Sequence, residues 1–219
     1  MSSIPILVLR LDGLLQSWGE HSKWDFRDSA SMPTKSAIVG LLGCALGWER
    51  GDEKLVSLSE AIQLAIREDC KGVEMIDFHT VQSKQLLNAQ GKHRGKSGEY
   101  STLITNRTYL QNAYFTVAIT GAKDLLCNLA YALEKPKWPV YLGRKACVPS
   151  RPILGEFTEQ YTSLEEAIQR LPVDKYVEEK EKYLIEIEVD SRADIKFERQ
   201  DAIAGNRYFK RRTVMRKMV

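Results

Sequence analysis

An α+β fold is predicted from three observations. Apolar strand-like runs recur along the first two thirds of the chain, two amphipathic helical stretches separate them, and together they come in the order β-α-β-β-α. The chain has 219 residues, 43% hydrophobic and 28% charged, which suits a folded protein with a real core rather than a disordered one.

Ile4 to Leu11 is apolar at nearly every position, as expected of a central strand covered on both faces. The polar stretch from Asp12 to Met32 reads as a long functional loop carrying Trp18, Trp24 and Phe26. Pro33-Thr34 opens a helix whose Ile38, Leu41, Leu42, Ala45 and Leu46 form one stripe. Gly40, Gly43 and Gly47 lie on another line of it, suited to close backbone approach or, at Gly47, to a C-cap. Strands are expected over Ala61–Arg67, Asp77–Gln82, Thr102–Tyr109 and Tyr114–Thr120. Between Ser83 and Ser101 a Gly-rich basic excursion reads as a long hairpin tip. Asp124 to Leu133 is a second helix, and Val140 to Leu142 a short closing strand. The resulting body, residues 1–151, is ferredoxin-like.

Residues 152–219 are expected to form a small β-rich C-terminal part. It holds a capped helix from Ser163 to about Arg170, a strand at Tyr183–Val189 and a terminal strand at Arg207–Val214 with its charges outward.

The net charge of +3 hides a segregation. Lys84 to Arg107 opposes five cations with Glu99 alone, Lys135 to Arg151 contains no acid, and neither does the tail from Arg207. Three such stretches point to an electropositive surface for a polyanion.

The longest apolar run, Ala37 to Trp48, is shorter than the roughly 18 residues a membrane span needs, so no membrane partner is expected. The N-terminus lacks a secretory pattern, and Cys44, Cys70, Cys127 and Cys147 form no CxxC pair, which fits a reducing cytoplasm. His21, His79 and His93 show no metal-ligand spacing, so neither metal nor cofactor is expected. Gly91 to Ser97 is one residue short of a phosphate loop and follows no apolar strand. His79 reads as a structural histidine.

A binding protein fits better. Single-stranded RNA needs cations for phosphate, planar groups for stacking and glycines for close approach. Tyr141-Leu-Gly143-Arg144-Lys145 supplies all three, and Gln16-Ser-Trp18-Gly19 adds an amide, an indole and a flexible backbone.

At this point the residues resemble a family. LVLRLDGLLQSWG and MPTKSAIVGLLGCALG, then DFHTV, AYFTVAIT and KPKWPVYLGRKACVPSRPILG, are similar in order and spacing to the CasD (Cas-five) family of type I-E CRISPR surveillance complexes, known as Cascade. RYFKRRTVM occupies the place of that family's last basic strand. The resemblance implies a non-catalytic antiviral subunit with a ferredoxin-like body and a β-hairpin thumb, here Thr80 to Thr108. It implies that the subunit caps the repeat-derived 5′ handle of the guide RNA. The same resemblance implies contacts with adjacent backbone and large subunits, and with target DNA indirectly. The expected RNA-binding residues are Gln16, Trp18, Gly19, Lys35 and Ser36; Lys92, His93, Arg94, Lys96 and Arg107; Tyr141, Gly143, Arg144 and Lys145; and Arg207 and Arg211.

The alternative comes from type I-C relatives, which cleave precursor guide RNA without metal through a Tyr, a Lys and a His. Lys92-His93 matches the latter pair, but the family's Tyr precedes the first helix, and this chain has no tyrosine before Tyr100. Trp24 and Phe26 stand in that region and carry no hydroxyl.

Overall fold

The computed structural model describes residues 3–87, 90–92, 98–189, 197–205 and 208–219. The chain opens with β1 (Ile4–Asp12), two short strands β2 (Leu15–Gln16) and β3 (Phe26–Arg27), and the helices α1 (Lys35–Leu46) and α2 (Glu53–Ala61). Then come β4 (Gln63–Cys70), the long pair β5 (Val73–Ser83) and β6 (Ser101–Gln111), β7 (Tyr114–Thr120) and α3 (Lys123–Glu134). The last third supplies β8 (Leu154–Tyr161), α4 (Leu164–Arg170), β9 (Leu184–Glu188), β10 (Phe197–Gly205) and β11 (Tyr208–Met218).

Seven strands form one antiparallel sheet in the order β10-β11-β9-β4-β7-β1-β8. Alternation along β1 divides the core. Leu7, Leu9 and Leu11 join the cluster with α1, α2 and α3, while Ile6 and Val8 face α4. β1 is thus covered on both faces, as its unbroken apolar run requires. In α1 the Thr34 hydroxyl accepts from the Ala37 N–H, and Gly47 closes the helix with φ 74°. α3 buries Leu126, Leu129 and Leu133, the expected stripe.

A second sheet stands beside the first. β6 pairs along one edge with β5 over eleven consecutive register positions, Val73–Gln111 to Ser83–Ser101, and along the other with β2 and β3.

Several expectations need correction. Val140 to Leu142 is a loop, not a strand. Pro139 offers no N–H there, and Leu142 is tied by backbone bonds to Ser17 and Cys147. β8 instead closes the four strands β8-β1-β7-β4. The expected strand at Ala61 starts two residues later, because Asp52 caps α2 and that helix runs to Ala61. Strands from residues 1–151 and from residues 152–219 share the large sheet. Finally, β11 turns charges inward, since Arg212 is 6% exposed and Arg216 is partly buried against Glu186.

Candidate nucleic-acid interface

The segment between β1 and α1 is a folded structure rather than an open loop. Gln16 is fully buried, and its amide donates to the carbonyls of Leu11 at 3.0 Å and Ala113 at 2.6 Å. The Ser17 hydroxyl donates to the Thr108 carbonyl at 3.1 Å. Trp18 is also fully buried, edge-on to Phe115 with centroids 6.5 Å apart. Neither Gln16 nor Trp18 presents its side chain to a ligand in this structure; an indole packed in the core cannot stack on a base. Beyond them, Asp28 accepts from the His21 N–H at 2.7 Å, the Ser22 hydroxyl at 2.6 Å and the Glu20 N–H at 3.3 Å. Burial pushes the Asp28 carboxyl up, but Ser22 and the two backbone donors outweigh it and hold the group below its ordinary value. That knot turns Lys23, Trp24 and Phe26 outward, with Trp24 51% exposed. Gly19 is exposed beside it.

The Tyr141–Lys145 loop packs onto this segment. Gly143, at φ 90°, lies so close to the Ser17 carbonyl that a Cβ would occupy the same space. Arg144 donates to the carbonyls of Thr108 at 3.1 Å, Arg27 at 2.8 Å and Asp28 at 3.2 Å, and its guanidinium covers the Tyr109 ring. Gly143 and Arg144 therefore hold the site together, while Lys145 is exposed and Tyr141 half-buried at its rim.

Register fixes which side chains share a face of the second sheet. Phe26 lies beside Asn106 and Phe78 beside Asn106 from the other edge, so both rings flank one amide. On the opposite face Arg27 is beside Arg107, with Asp77 across from Arg107 and His79 next along β5. Arg107 donates to the Thr105 hydroxyl at 3.2 Å, and Arg27 lies 5.8 Å from the Trp24 ring centre. One face of this sheet thus gathers Arg27, Arg107 and the Arg144 stacked on Tyr109, with the exposed Trp24 ring beside Arg27. Lys145, next after Arg144 in the loop, is exposed and lies within electrostatic reach of Cys44 on α1.

The expected α1 terminus behaves otherwise. Lys35 is buried, and its ammonium donates to the Ile62 carbonyl at 2.9 Å and pairs with Glu188 at 2.7 Å. Its backbone N–H is taken by the Asp201 carboxylate at 2.9 Å, so an anion from the chain itself already occupies this helix start. Ser36 sits next to it, half-buried and sharing a hydrogen bond with the Thr34 hydroxyl.

Asp201 belongs to a buried ionic hub. Arg212 bonds Asp201 at 2.6 Å and Glu186 at 2.9 Å; Arg199 reaches Glu186 and Glu20, each at 2.9 Å; Arg216 completes Glu186 at 2.8 Å. Burial pushes the Asp201 carboxyl up, but the two guanidiniums and the Lys35 N–H hold it below its ordinary value. Burial likewise works against the charge of Arg199, and Glu186, Asp201 and Glu20 overcome it.

Among the described residues the tail is therefore not a free cationic surface. Lys210 pairs with Glu60, Arg211 with Glu198 and Lys217 with Glu165, while Arg212 and Arg216 enter the hub. A count of charges along the chain missed this because Glu60, Glu165 and Glu186 are distant in sequence, while Glu198 and Asp201 lie on β10, just before the tail that was counted. Among the middle cations, Arg151 is paired with Asp12 and Asp174 and stacked 3.8 Å from the Tyr176 ring centre. Lys92 is exposed near the hairpin tip. His93, Arg94, Lys96 and Arg207 lie outside the described residues. Arg27 was missed, although the run Lys23-Trp24-Asp25-Phe26-Arg27 interleaves cations with aromatics, a signal for single-stranded nucleic acid.

The described residues contain no group of His, Cys, Asp and Glu able to hold a metal, and no helix long and apolar enough to cross a membrane.

Comparison with known proteins gives a consistent result. The family described as CRISPR-associated protein (Cas_Cas5) matches residues 6–218. The chain is 36% identical over 159 residues to the CRISPR system Cascade subunit CasD of Escherichia coli (strain K12), covering 67% of this chain and 68% of that protein. A chain of a solved CRISPR RNA-guided surveillance complex superposes with TM-score 0.75 at 26% identity, covering 98% of this chain and 90% of that one. A crystal structure described as a Cas protein superposes with TM-score 0.70 at 32% identity, over 97% and 94% of the two chains.

Proposed function

The chain belongs to the Cas5 family of CRISPR-associated proteins, and we propose that it is the non-catalytic, cytoplasmic subunit that caps the repeat-derived 5′ handle of a guide RNA in a Cascade-type complex. The observation that carries this reading is the convergence of Arg27, Arg107 and Arg144 on one face of the second sheet, beside exposed Trp24, with exposed Lys145 following Arg144 in the adjoining loop. Guanidiniums and an ammonium suit phosphates, and the indole suits an unstacked base. Neighbouring backbone and large subunits would complete the site, and target DNA would be met through them. The order β8-β1-β7-β4, fully antiparallel, with helices joining β1 to β4 and β7 to β8, supports the ferredoxin-like description, and the β5–β6 pair between β4 and β7 is the segment that fits the thumb.

Binding without cleavage is favoured because no tyrosine precedes Tyr100, leaving the upstream region without a phenol to activate a ribose hydroxyl.

Titrating a labelled repeat-derived RNA with the chain at several salt concentrations tests the reading. Each phosphate contact on a single strand contributes about 0.7 to the slope of log affinity against log salt. Arg107→Ala and Lys145→Ala should each lower that slope by about this amount. Slopes unchanged in both variants would remove this face from the RNA site. The same RNA should stay intact in chelator; specific cleavage within the repeat would overturn the non-catalytic assignment.

A further inference from the structure

The second sheet has an open strand edge and, beside it, a face on which register places no cation. β5 pairs with β6 on one side, and among the described residues no strand pairs with its other side. None of its backbone groups bonds to a loop or turn among those residues either. The open edge is eleven residues long, with no bulge in its register, no proline and no lysine, and its charges are Glu74 and Asp77, both before the stretch from Phe78 to Ser83. Natural edge strands are usually blunted by bulges, prolines or charges, and a long edge stretch without them is a template for another strand.

The side chains beside this edge point to the same occupant. Ile76 is 57% exposed, Phe78 64% and Ile104 47%, and register places all three on the face that also carries Phe26. From Ile76 along β5 to Gln82, the residues on that face are Ile76, Phe78, Thr80 and Gln82, and opposite them stand Thr108, Asn106, Ile104 and Thr102. None of these is charged, and the one charged residue of β5 on this face, Glu74, is an acid. The cations Arg27 and Arg107 lie on the other face. A polyanion therefore has no counter-charge here, and it could not satisfy a row of alternating backbone donors and acceptors.

We infer that the outer edge of β5 accepts an extended segment of a partner polypeptide, which adds a strand to the sheet and lays apolar side chains at alternate positions over Ile76 and Phe78. The main-chain ladder supplies affinity, and exposed Ile76, Phe78 and Ile104 supply selectivity for an apolar, alternating segment. The inference rests on the reading of the chain as a complex subunit, because the strand donor is another subunit. It divides the ribbon into an RNA face and a protein edge.

Hydrogen exchange at the amides of residues 73–83 tests this in three samples: the free chain, the chain with guide RNA alone, and the complete complex purified from cells. In an edge strand alternate amides lack a partner, so about half of them should exchange fast in the free chain and slow at least about tenfold in the complex. Unchanged exchange in the complex overturns the inference, and so does equal slowing by RNA alone, which would make the occupant nucleic acid. Slowing in the free chain accompanied by dimerisation would make it a second copy and also overturn it. As a second measurement, the pair Ile76→Lys and Phe78→Lys, both at exposed positions, should reduce incorporation into the complex about tenfold while leaving free-chain RNA affinity within about twofold. Incorporation at the wild-type level would contradict the inference. A chain that binds RNA and enters the complex with β5 unprotected leaves the proposed function intact and removes only the strand addition; a chain that does neither removes both.

Discussion

The guanidinium carbon of Arg144 lies 4.6 Å from the centre of the Tyr109 ring, and from there its nitrogens reach three carbonyls on two separate segments. One arginine thus fastens the Tyr141–Lys145 loop, β6 and the Phe26–Asp28 segment to one another. A planar fork can do this, whereas an ammonium cannot match the geometry. Arg144 positions the site; Lys145, next in sequence, is the exposed charge.

Arg144→Ala should therefore cost about 2–3 kcal/mol, since three carbonyls lose a charged donor and a ring loses its cover. Arg144→Lys should recover less than half of that loss. Lys145→Ala, at an exposed position, should fall within about 0.5 kcal/mol of the parent. Urea unfolding monitored by circular dichroism separates the three. Equal stability of the Arg144→Ala variant and the parent would contradict the positioning role.

The tryptophans divide in the same way. Trp18 is fully buried and Trp24 is 51% exposed. Trp18→Ala should cost about 3–5 kcal/mol, the usual loss for a large aromatic in a core. Adding handle RNA should quench the emission of Trp24, and Trp24→Phe should abolish the change without loss of stability. Quenching that persists in Trp24→Phe would place the stacked base elsewhere.

The ionic hub makes a prediction about acid. The Asp201 carboxyl is held below its ordinary value of 3.8. A carboxylate with a depressed folded-state pKa contributes stability that is fully present above the unfolded value and lost as pH falls through the folded one. Asp201→Asn leaves Arg212 without its 2.6 Å partner and should cost about 3–5 kcal/mol at pH 7. The gap between variant and parent should then narrow as pH falls below 3.8, because the parent loses the contribution that the variant lacks. Stability measured by denaturant at neutral pH and at several values below 3.8 checks this; a gap of constant size would rule out Asp201 as the titrating member.

Much of the fold was legible because its signals are local. The unbroken apolar run of β1, the Thr34 cap and stripe of α1, and the leucines of α3 each carry their own period. β8 was not legible, because as an edge strand it alternates weakly and includes Gly155. β10 was missed because Arg199 and Asp201 read as surface charges, and only the fold brings Glu186 and Arg212 to them. The site was half legible for the same reason. Tyr141 to Lys145 and Gln16 to Gly19 do meet, as their composition suggested, but burial of Trp18 depends on Phe115, almost a hundred residues away. Lys35 faced the same problem: a lysine at a helix start reads as a phosphate ligand until Glu188 arrives from β9.

The proposed function puts the repeat-derived 5′ end of a guide RNA on the face that carries Arg27 and Arg107, with Lys145 of the adjoining loop. Purifying the complex through this chain and sequencing the 5′ ends of the bound RNA tests it most directly. Most ends should fall at one position within the repeat, and the triple variant Arg27→Ala, Arg107→Ala, Lys145→Ala should lose that RNA while remaining folded. Scattered ends, or the same RNA recovered equally well with the triple variant, would remove the guide-RNA 5′ end from this face.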